Sequence, residues 1–322
     1  LPQMLYGWTL ALDPWGITAY LLHHSMVLWV GAAMMGFCRR ARLNSAGPLA
    51  AAFFFIVPVV LVETFSVSVG MEWALMELCW FIALVCALSQ SPGTADRTKW
   101  LVLAGAFLGF AISTKYQAWL LLAALIPPLF LKFPSLNRDA DSIQLNGATV
   151  KEVLLVLFVA VLCLAPWVAK NIWFYKNPLY PFFHEYFASK AEYMPSWRAM
   201  MAGGMAKSSG IPNLSGLLRY TTFPLRFLFS GDIFQSTGLV VACLAPLIFW
   251  ARLSDSERLL AWVVGVSWVS LSLLTEITRY FIPHLALMTL LICCIMVRIR
   301  PLGFRNALIA VPGASCLLFG ML

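Results

Sequence analysis

Residues 165–183 read Ala165-Pro-Trp-Val-Ala-Lys-Asn-Ile-Trp-Phe-Tyr-Lys-Asn-Pro-Leu-Tyr-Pro-Phe-Phe183, and here an apolar helix gives way to a polar loop. Tryptophan and tyrosine recur through this segment, and both settle at the headgroup level of a bilayer. The pairs Asn177-Pro178 and Tyr180-Pro181 oppose a continuing helix, because proline lacks an amide hydrogen and restricts the residue before it. The segment predicts a membrane-spanning helix that passes into a surface loop after residue 170.

The composition of the chain agrees with a membrane protein. Of 322 residues, 61% are hydrophobic and 11% are charged, whereas soluble domains carry about 25% charged residues. We therefore expect an all-α fold, a polytopic membrane helical bundle of about ten transmembrane helices that forms one domain over 1–322. The predicted spans are 17–37, 48–68, 71–89, 100–113, 116–132, 151–170, 235–251, 258–275, 280–297 and 306–322.

The net charge of +8 does not indicate a nucleic-acid partner, because the basic residues lie in short clusters between apolar runs. Clusters of this kind mark the cytoplasmic side of a membrane protein. We therefore expect residues 1–16 and one long loop, 171–234, to be extracytoplasmic, with short interfacial helices in the loop. The predicted cytoplasmic cluster residues are Arg39, Arg40, Arg42, Arg97, Lys99, Lys132, Arg138, Lys151, Arg252, Arg258, Arg298, Arg300 and Arg305.

Ionisable side chains at membrane depth are costly, so each is a candidate functional residue. The candidates gather in three predicted outward turns, each of which joins two spans. We expect these turns to bring acids, bases and aromatic rings to one depth near the outer leaflet. The candidates are Glu63 and Glu72 in the first turn, Lys115 and Tyr116 in the second, and Glu276, Arg279, Tyr280 and His284 around the third.

Each of these candidates has a structural alternative. Glu72 stands at a helix start, where an acid complements the helix dipole, or it is an acid of a binding site. Lys115 either extends to the headgroups or joins Arg279 in binding an anionic phosphate. Arg279 could instead pair with Glu276, three residues earlier. Glu77 lies about 7.5 Å deeper than Glu72 and about 140° around the helix, so the two acids are not expected to form a catalytic pair.

Other polar or small residues favour structural roles. His23 lies inside a span, where we expect a hydrogen-bonded interior histidine. Gly105 and Gly109 form the Gly-x-x-x-Gly spacing of packed membrane helices. The eight cysteines show no Cys-x-x-Cys spacing, and we interpret them as small packing residues with no metal site. Arg219 and Arg226, in the long loop, face headgroups or bind phosphate.

Several segments together resemble the bacterial glycosyltransferases of the C-type (GT-C) membrane fold. This superfamily includes the protein O-mannosyltransferases and the lipid A aminoarabinose transferase, and the chain is similar to glycosyltransferase family 39 within it. The order and spacing of the matching segments cover nearly the whole chain. They are Leu1-Pro-Gln-Met-Leu-Tyr6, Leu21-Leu-His23, Pro58 to Glu72, Gly105 to Tyr116, Ala165 to Pro181, and Arg279-Tyr-Phe-Ile-Pro283.

The resemblance implies an enzyme of the bacterial inner membrane that takes a sugar from a polyprenyl-phosphate carrier. The acceptor would receive the sugar on the extracytoplasmic side. Lys115 and Arg279 would hold the carrier phosphate as it leaves, and Glu72 would be a supporting acid where such proteins commonly have aspartate. Tyr116, Tyr280, Lys170 and Asn171 complete the substrate-binding residues that we assign on this basis.

The resemblance also implies that the main catalytic carboxylate lies in a loop upstream of Leu1. We therefore expect a chain truncated at its N-terminus, in which the catalytic base is unknown. Asp13 follows the matching segment and is not assigned that role. A divalent metal ion is possible in this superfamily, although the sequence shows no ligand set.

Two other classes of protein would also place cations near the outer leaflet. One is an oligosaccharide ligase or polymerase with an arginine-rich outer loop, for which Arg198, Arg219 and Arg226 are candidates. The other is a transporter or flippase for a lipid-linked glycan, which should show paired broken helices in repeated halves. We find no convincing internal repeat, and the single long outer loop favours an enzyme.

Overall fold

The computed structural model describes residues 15–65, 70–122, 145–180, 253–274 and 278–299, with isolated positions at 9, 11–13, 187 and 306. Every regular element in these ranges is helical. The helices are α1 Ile17–Arg40, α2 Ala46–Ile56, α3 Pro58–Phe65, α4 Gly70–Leu88, α5 Ala95–Thr114, α6 Val150–Tyr175, α7 Asp255–Leu274 and α8 Ile282–Met296, with 3₁₀ helices at Tyr116–Trp119 and Thr278–Phe281.

The helix α4 forms the centre of the bundle. It packs against α1, α5 and α8, and 83% of its apolar window is buried inside the protein. Trp73, Trp80 and Phe81 are fully buried along it. Because residues on every side of α4 are inaccessible, its two acids, Glu72 and Glu77, are enclosed by neighbouring helices.

The chain is a polytopic helical membrane protein, as the composition predicted. Within the described ranges, α1, α4 and α6 are long and apolar enough to cross a membrane, and α2 with α3 makes a fourth span if the bent pair is counted as one. The predicted span 235–251, most of 116–132, and 306–322 except residue 306 lie outside the described residues.

The predicted span 48–68 is not one straight helix, because it breaks in its middle. The axes of α2 and α3 meet at an angle of 78°. Val57 between them is extended, with φ −64° and ψ 125°. The cause is Pro58, which disfavours helical geometry at the preceding residue and cannot donate to Phe54. The break turns α3 toward the 3₁₀ helix at 278–281, against which it packs.

Two predicted helix boundaries also need correction. The span 100–113 begins earlier, at Ala95, because the Thr94 hydroxyl caps the helix by accepting the Arg97 amide. The loop predicted to begin at 171 begins after Tyr175, since α6 continues through the aromatic residues of its last turns. It ends at Lys176, whose φ of 52° is left-handed, before Asn177 and Pro178. The rest of the predicted loop lies outside the described residues except for residues 176–180 and 187.

The predicted helix-packing role of Gly105 and Gly109 is confirmed. Both glycines of α5 face α6, where a Cβ atom on Gly105 would lie 2.6 Å from the Val156 carbonyl oxygen. A Cβ atom on Gly109 would overlap the Ala160 carbonyl oxygen and lie 2.8 Å from the Cys163 Cβ. The two backbones therefore approach to a distance that only glycine permits.

At one end of the bundle, which we call the arginine end, arginine side chains connect neighbouring helices. Arg97 of α5 binds Glu152 of α6, Arg298 after α8 binds Glu257 of α7, and Arg40 of α1 donates to the Ser89 hydroxyl at 2.9 Å. The predicted cytoplasmic clusters contribute all three arginines. We define the opposite end, where α1, α4 and α8 begin and α5 ends, as the histidine end.

Candidate functional site

The predicted supporting acid, Glu72, lies at the histidine end in contact with a histidine of α1. Its Oε1 atom is 2.8 Å from His23 Nδ1, and both side chains are fully buried. His23 Nε2 is 3.1 Å from the backbone carbonyl oxygen of Glu63, in α3. His23 is therefore a hydrogen-bonded interior histidine, as predicted, and it ties three helices together.

The hydrogen-bond partners of His23 determine how many protons His23 and Glu72 hold together. A carbonyl oxygen only accepts, so Nε2 carries a hydrogen that it donates to Glu63. The contact to Glu72 is then either imidazolium with carboxylate or neutral imidazole with carboxylic acid. Both forms are neutral overall, which suits a site inside a membrane bundle. In both forms each ring nitrogen of His23 is engaged in a hydrogen bond.

A second histidine–glutamate pair lies deeper in the bundle, and the sequence did not predict it. His284 of α8 places Nδ1 2.8 Å from Glu77 Oε1, and both residues are at most 1% exposed. The His284 ring also meets the rings of Trp73 and Phe281 edge-on. The only signal in the sequence was that both are ionisable residues at membrane depth, which does not identify their partners.

The pair at Lys115 and Tyr280 brings together two of the turns that the sequence predicts to face outward. Lys115 follows α5 in an extended conformation, and its Nζ atom lies 4.6 Å from the centroid of the Tyr280 ring. This is the geometry of a cation–π contact. Arg279 precedes Tyr280 in the same 3₁₀ helix. The side chains of Arg279 and Tyr116 lie outside the described residues, so their assigned roles stay predictions.

Lys170 and Asn171 lie on the last turns of α6. Lys170 is partly exposed. Asn171 is buried, and its amide nitrogen lies 3.4 Å from the Tyr180 carbonyl oxygen and 3.5 Å from that of Pro178. The Tyr175 and Tyr180 rings stack at 3.8 Å with an interplanar angle of 7°. Asn171 thus holds the turn after α6, and substrate binding by either residue stays a prediction.

Asp13 acts at the start of α1. It accepts hydrogen bonds from the Thr18 amide at 2.9 Å, the Thr18 hydroxyl at 3.1 Å and the Trp15 amide at 3.0 Å. The hydrogen bond from the Thr18 amide is the main reason that the pKa of Asp13 lies below its ordinary value. Asp13 therefore stabilises the N-terminus of α1.

The described residues do not offer a metal-binding set. Nowhere in the described part of the chain do three or more His, Cys, Asp or Glu side chains come together. Each histidine–glutamate pair supplies two such groups, whereas protein zinc sites use three or four. These residues do not fit a divalent ion, and no step is assigned to one.

Comparisons with known proteins give a structural match without a sequence match. No family model matches the sequence, and no curated protein does either. Two crystal structures of ArnT from Cupriavidus metallidurans match the fold, one bound to undecaprenyl phosphate and one in the apo state. Their TM-scores are 0.55 and 0.54, at 16% and 17% sequence identity.

The match extends over most of this chain and over half of the other protein. It covers 94% and 91% of this chain, and 50% and 48% of the respective ArnT chains. The fold is therefore shared over about half the length of ArnT, at identities that establish the fold alone. The chain therefore shares the membrane helical fold of these ArnT structures.

Proposed function

We propose that the chain is part of a membrane glycosyltransferase that takes a sugar from a polyprenyl-phosphate donor and transfers it to an acceptor at the histidine end. The observation that carries the proposal is Lys115 held over the Tyr280 ring, next to Arg279, where two chain turns meet. A structure with the same fold, ArnT, is bound to undecaprenyl phosphate. These two findings together support the donor class.

A phosphate at this turn would meet two cationic residues. The lysine ammonium carries three N–H donors, and an arginine guanidinium can bind two phosphate oxygens at once. The Tyr280 ring restricts where the ammonium lies, so less side-chain entropy is lost when a phosphate binds. Charge that develops on the departing phosphate would then be stabilised by the ammonium of Lys115 and the guanidinium of Arg279.

In this proposal Glu72 is the supporting acid. It fixes His23 to α4 and, through the Glu63 carbonyl, secures α3. The helix α3 packs against the 3₁₀ helix that carries Arg279 and Tyr280. Glu72 thereby contributes to the position of the phosphate-binding turn. The histidine end faces outward in the predicted orientation, which would place transfer on the extracytoplasmic side of a bacterial inner membrane.

The test is sugar transfer by the full-length protein in membranes supplied with radiolabelled polyprenyl-phosphate monosaccharides. Lys115→Ala and Arg279→Ala are each expected to lower kcat/KM about 100-fold, the effect of removing one donor to developing charge. Lys99→Ala is the matched control, because Lys99 is exposed at the arginine end and pairs with Asp96. It is expected to transfer sugar at the normal rate.

Three outcomes would contradict this proposal in different ways. Unchanged transfer in folded Lys115→Ala and Arg279→Ala proteins would remove the phosphate role from these residues. Transfer of a preassembled glycan from a pyrophosphate carrier, with no use of monosaccharide donors, would favour the ligase or polymerase. Movement of an intact lipid-linked glycan across the membrane without any transfer would favour the transporter.

A further inference from the structure

Among the three long apolar helices in the described ranges, α6 is the one least enclosed by protein. Its apolar window is 11% buried inside the bundle, against 39% for α1 and 83% for α4. Exposed side chains continue to its last turn, where Trp173 and Phe174 are 75% and 70% exposed. A membrane helix of this kind contacts lipid along most of its length, and its aromatic last turn meets the headgroup region.

The charged residues at this end of α6 are both basic. Residues 153–180 carry two charged side chains, Lys170 and Lys176. Lys176 is exposed and Lys170 is half-buried, and the ion pairs of the described residues involve neither lysine. Lys170 precedes Trp173 and Phe174 by three and four residues, so it lies on their side of the helix. Two lysines therefore flank the two exposed aromatic residues along the chain.

The turn after α6 holds this end of the helix in one shape. Asn171 is buried, and its amide nitrogen lies within 3.5 Å of the carbonyl oxygens of Pro178 and Tyr180. The rings of Tyr175 and Tyr180 stack on each other across the same turn. The backbone that carries Lys176 is therefore ordered before anything binds to it, which lowers the entropy cost of binding.

The packing of α5 on α6 sets the height of this end relative to the turn of Lys115. Gly105 lies against Val156 and Gly109 against Ala160, so the two helices run in parallel and both end at the histidine end. Each glycine faces a residue 51 positions later in the chain. By the same offset, α6 continues for about nine residues past the level of Lys115, a rise of about 13 Å. The end of α6 therefore projects beyond the Lys115 turn.

A purely structural role for the two lysines makes a different prediction. Cations near the last carbonyls of a helix complement its dipole, and exposed aromatic residues settle at headgroup level next to any lipid. Neither effect gives a preference for one headgroup charge over another. Lysines that contact headgroups do give one, because each basic residue near an anionic membrane surface raises affinity about fivefold, the equivalent of about 1 kcal/mol.

We propose that the end of α6, defined by Lys170, Trp173, Phe174 and Lys176, is a docking surface for anionic phospholipids of the bilayer leaflet at the histidine end. The two ammonium groups bind headgroup phosphates, and the two aromatic rings lie beside the upper part of the acyl chains. This surface is separate from the proposed sugar transfer and does not depend on it. Its consequence is that the Lys115 turn lies nearer the bilayer centre than the headgroups bound by α6.

The test places the full-length protein in phosphatidylcholine vesicles that contain increasing fractions of brominated phosphatidylglycerol or brominated phosphatidylcholine. Bromine on the acyl chains quenches tryptophan fluorescence on contact. The fluorescence of Trp173 is obtained as the difference between the unaltered protein and Trp173→Phe. Half-maximal quenching of this difference should need about a tenfold lower fraction of phosphatidylglycerol than of phosphatidylcholine, because two lysines favour the anionic headgroup.

Charge variants separate lipid binding from a structural role. Lys170→Gln and Lys176→Gln should each lower the preference for phosphatidylglycerol about threefold to fivefold, and the double variant should abolish it. The matched control is Lys151→Gln, because Lys151 is an exposed lysine at the opposite end of the same helix. The control should leave the quenching of Trp173 unchanged. In the unaltered protein, salt at about 1 M should also reduce the preference, since charges are then screened within about 3 Å.

Four results would bear against one claim or the other. Equal quenching of Trp173 by both lipids, or a preference that survives in the double variant, would overturn the docking surface. Absence of Trp173 quenching by either lipid would overturn it too, because another surface would then cover the end of α6. Loss of the quenching on addition of equimolar polyprenyl phosphate would assign the surface to the sugar donor instead. Failure of sugar transfer with an intact phosphatidylglycerol preference would contradict the proposed function alone.

Discussion

Arg97→Leu is expected to lower the free energy of unfolding by about 3–5 kcal/mol, because it leaves the half-buried Glu152 carboxylate and two backbone carbonyls without the buried guanidinium that binds them. The Arg97 side chain is 1% exposed, and it donates from Nε and Nη2 to the two oxygens of Glu152. It also donates to the Gln90 carbonyl at 3.0 Å and the Gly147 carbonyl at 2.7 Å. One side chain thus connects the end of α4, α5 and the start of α6.

The measurement is urea or SDS unfolding of the full-length protein in detergent micelles. Lys99→Leu is the matched control, two residues away on the same helix, since its ion pair with Asp96 is mostly exposed and contributes less than about 1 kcal/mol. The double variant Arg97→Leu, Glu152→Leu should recover part of the lost stability, because neither charge is then left unpaired. Equal effects of the Arg97 and Lys99 changes would show that the buried network contributes little.

Gly109→Val is expected to cost about 3 kcal/mol or more, because the new side chain would meet the backbone of α6. The nearest atoms would be the Ala160 carbonyl oxygen and Cα, together with the Cβ of Cys163. Backbone atoms of a packed helix cannot turn aside as a flexible side chain can, so α5 and α6 would have to separate. Their contacts would weaken along both helices.

Thermal unfolding in detergent would measure this change, with Gly36→Val as the control. Gly36 lies in α1, and apart from its chain neighbours and its own helix backbone nothing lies within 4 Å of the position its Cβ would take. Valine there has a higher helix propensity than glycine, so stability should hold or rise slightly. If both variants unfold at the same temperature, the contact between α5 and α6 does not depend on glycine.

Most of the helices could be predicted from the sequence, since an apolar run of the right length has few alternatives in a membrane. The spans that became α1, α4 and α6 are examples, and so is the end of α6 before Asn177 and Pro178. The break before Pro58 was missed because hydropathy does not distinguish a straight apolar helix from one that bends. The sequence contains Pro58, but a proline does not always break a membrane helix, because neighbouring helices can satisfy the backbone groups that it leaves unpaired.

The candidate site was predicted in part. The sequence predicted that Lys115 and the turn of Arg279 and Tyr280 lie near one interface, but it did not predict the contact between Lys115 and Tyr280. The partners of Glu72 and Glu77 did not, because a helical pattern shows which residues are buried but not which neighbouring helix they face. His23 and His284 each contact a glutamate of α4, although they are 49 and 207 residues away from that glutamate in the chain. Packing of the whole bundle is needed to bring such pairs together.

The contact between Glu77 and His284 has a consequence for how the protein is synthesised. At about 5–20 residues per second, a ribosome needs roughly 10–40 seconds to advance over the 207 residues between them. During that interval α4 is already at the membrane while the histidine that binds Glu77 has not been made. Glu77 would be shielded from lipid during this interval if α4 stayed near the translocon until α8 was made. Binding of α4 by a membrane chaperone would have the same effect.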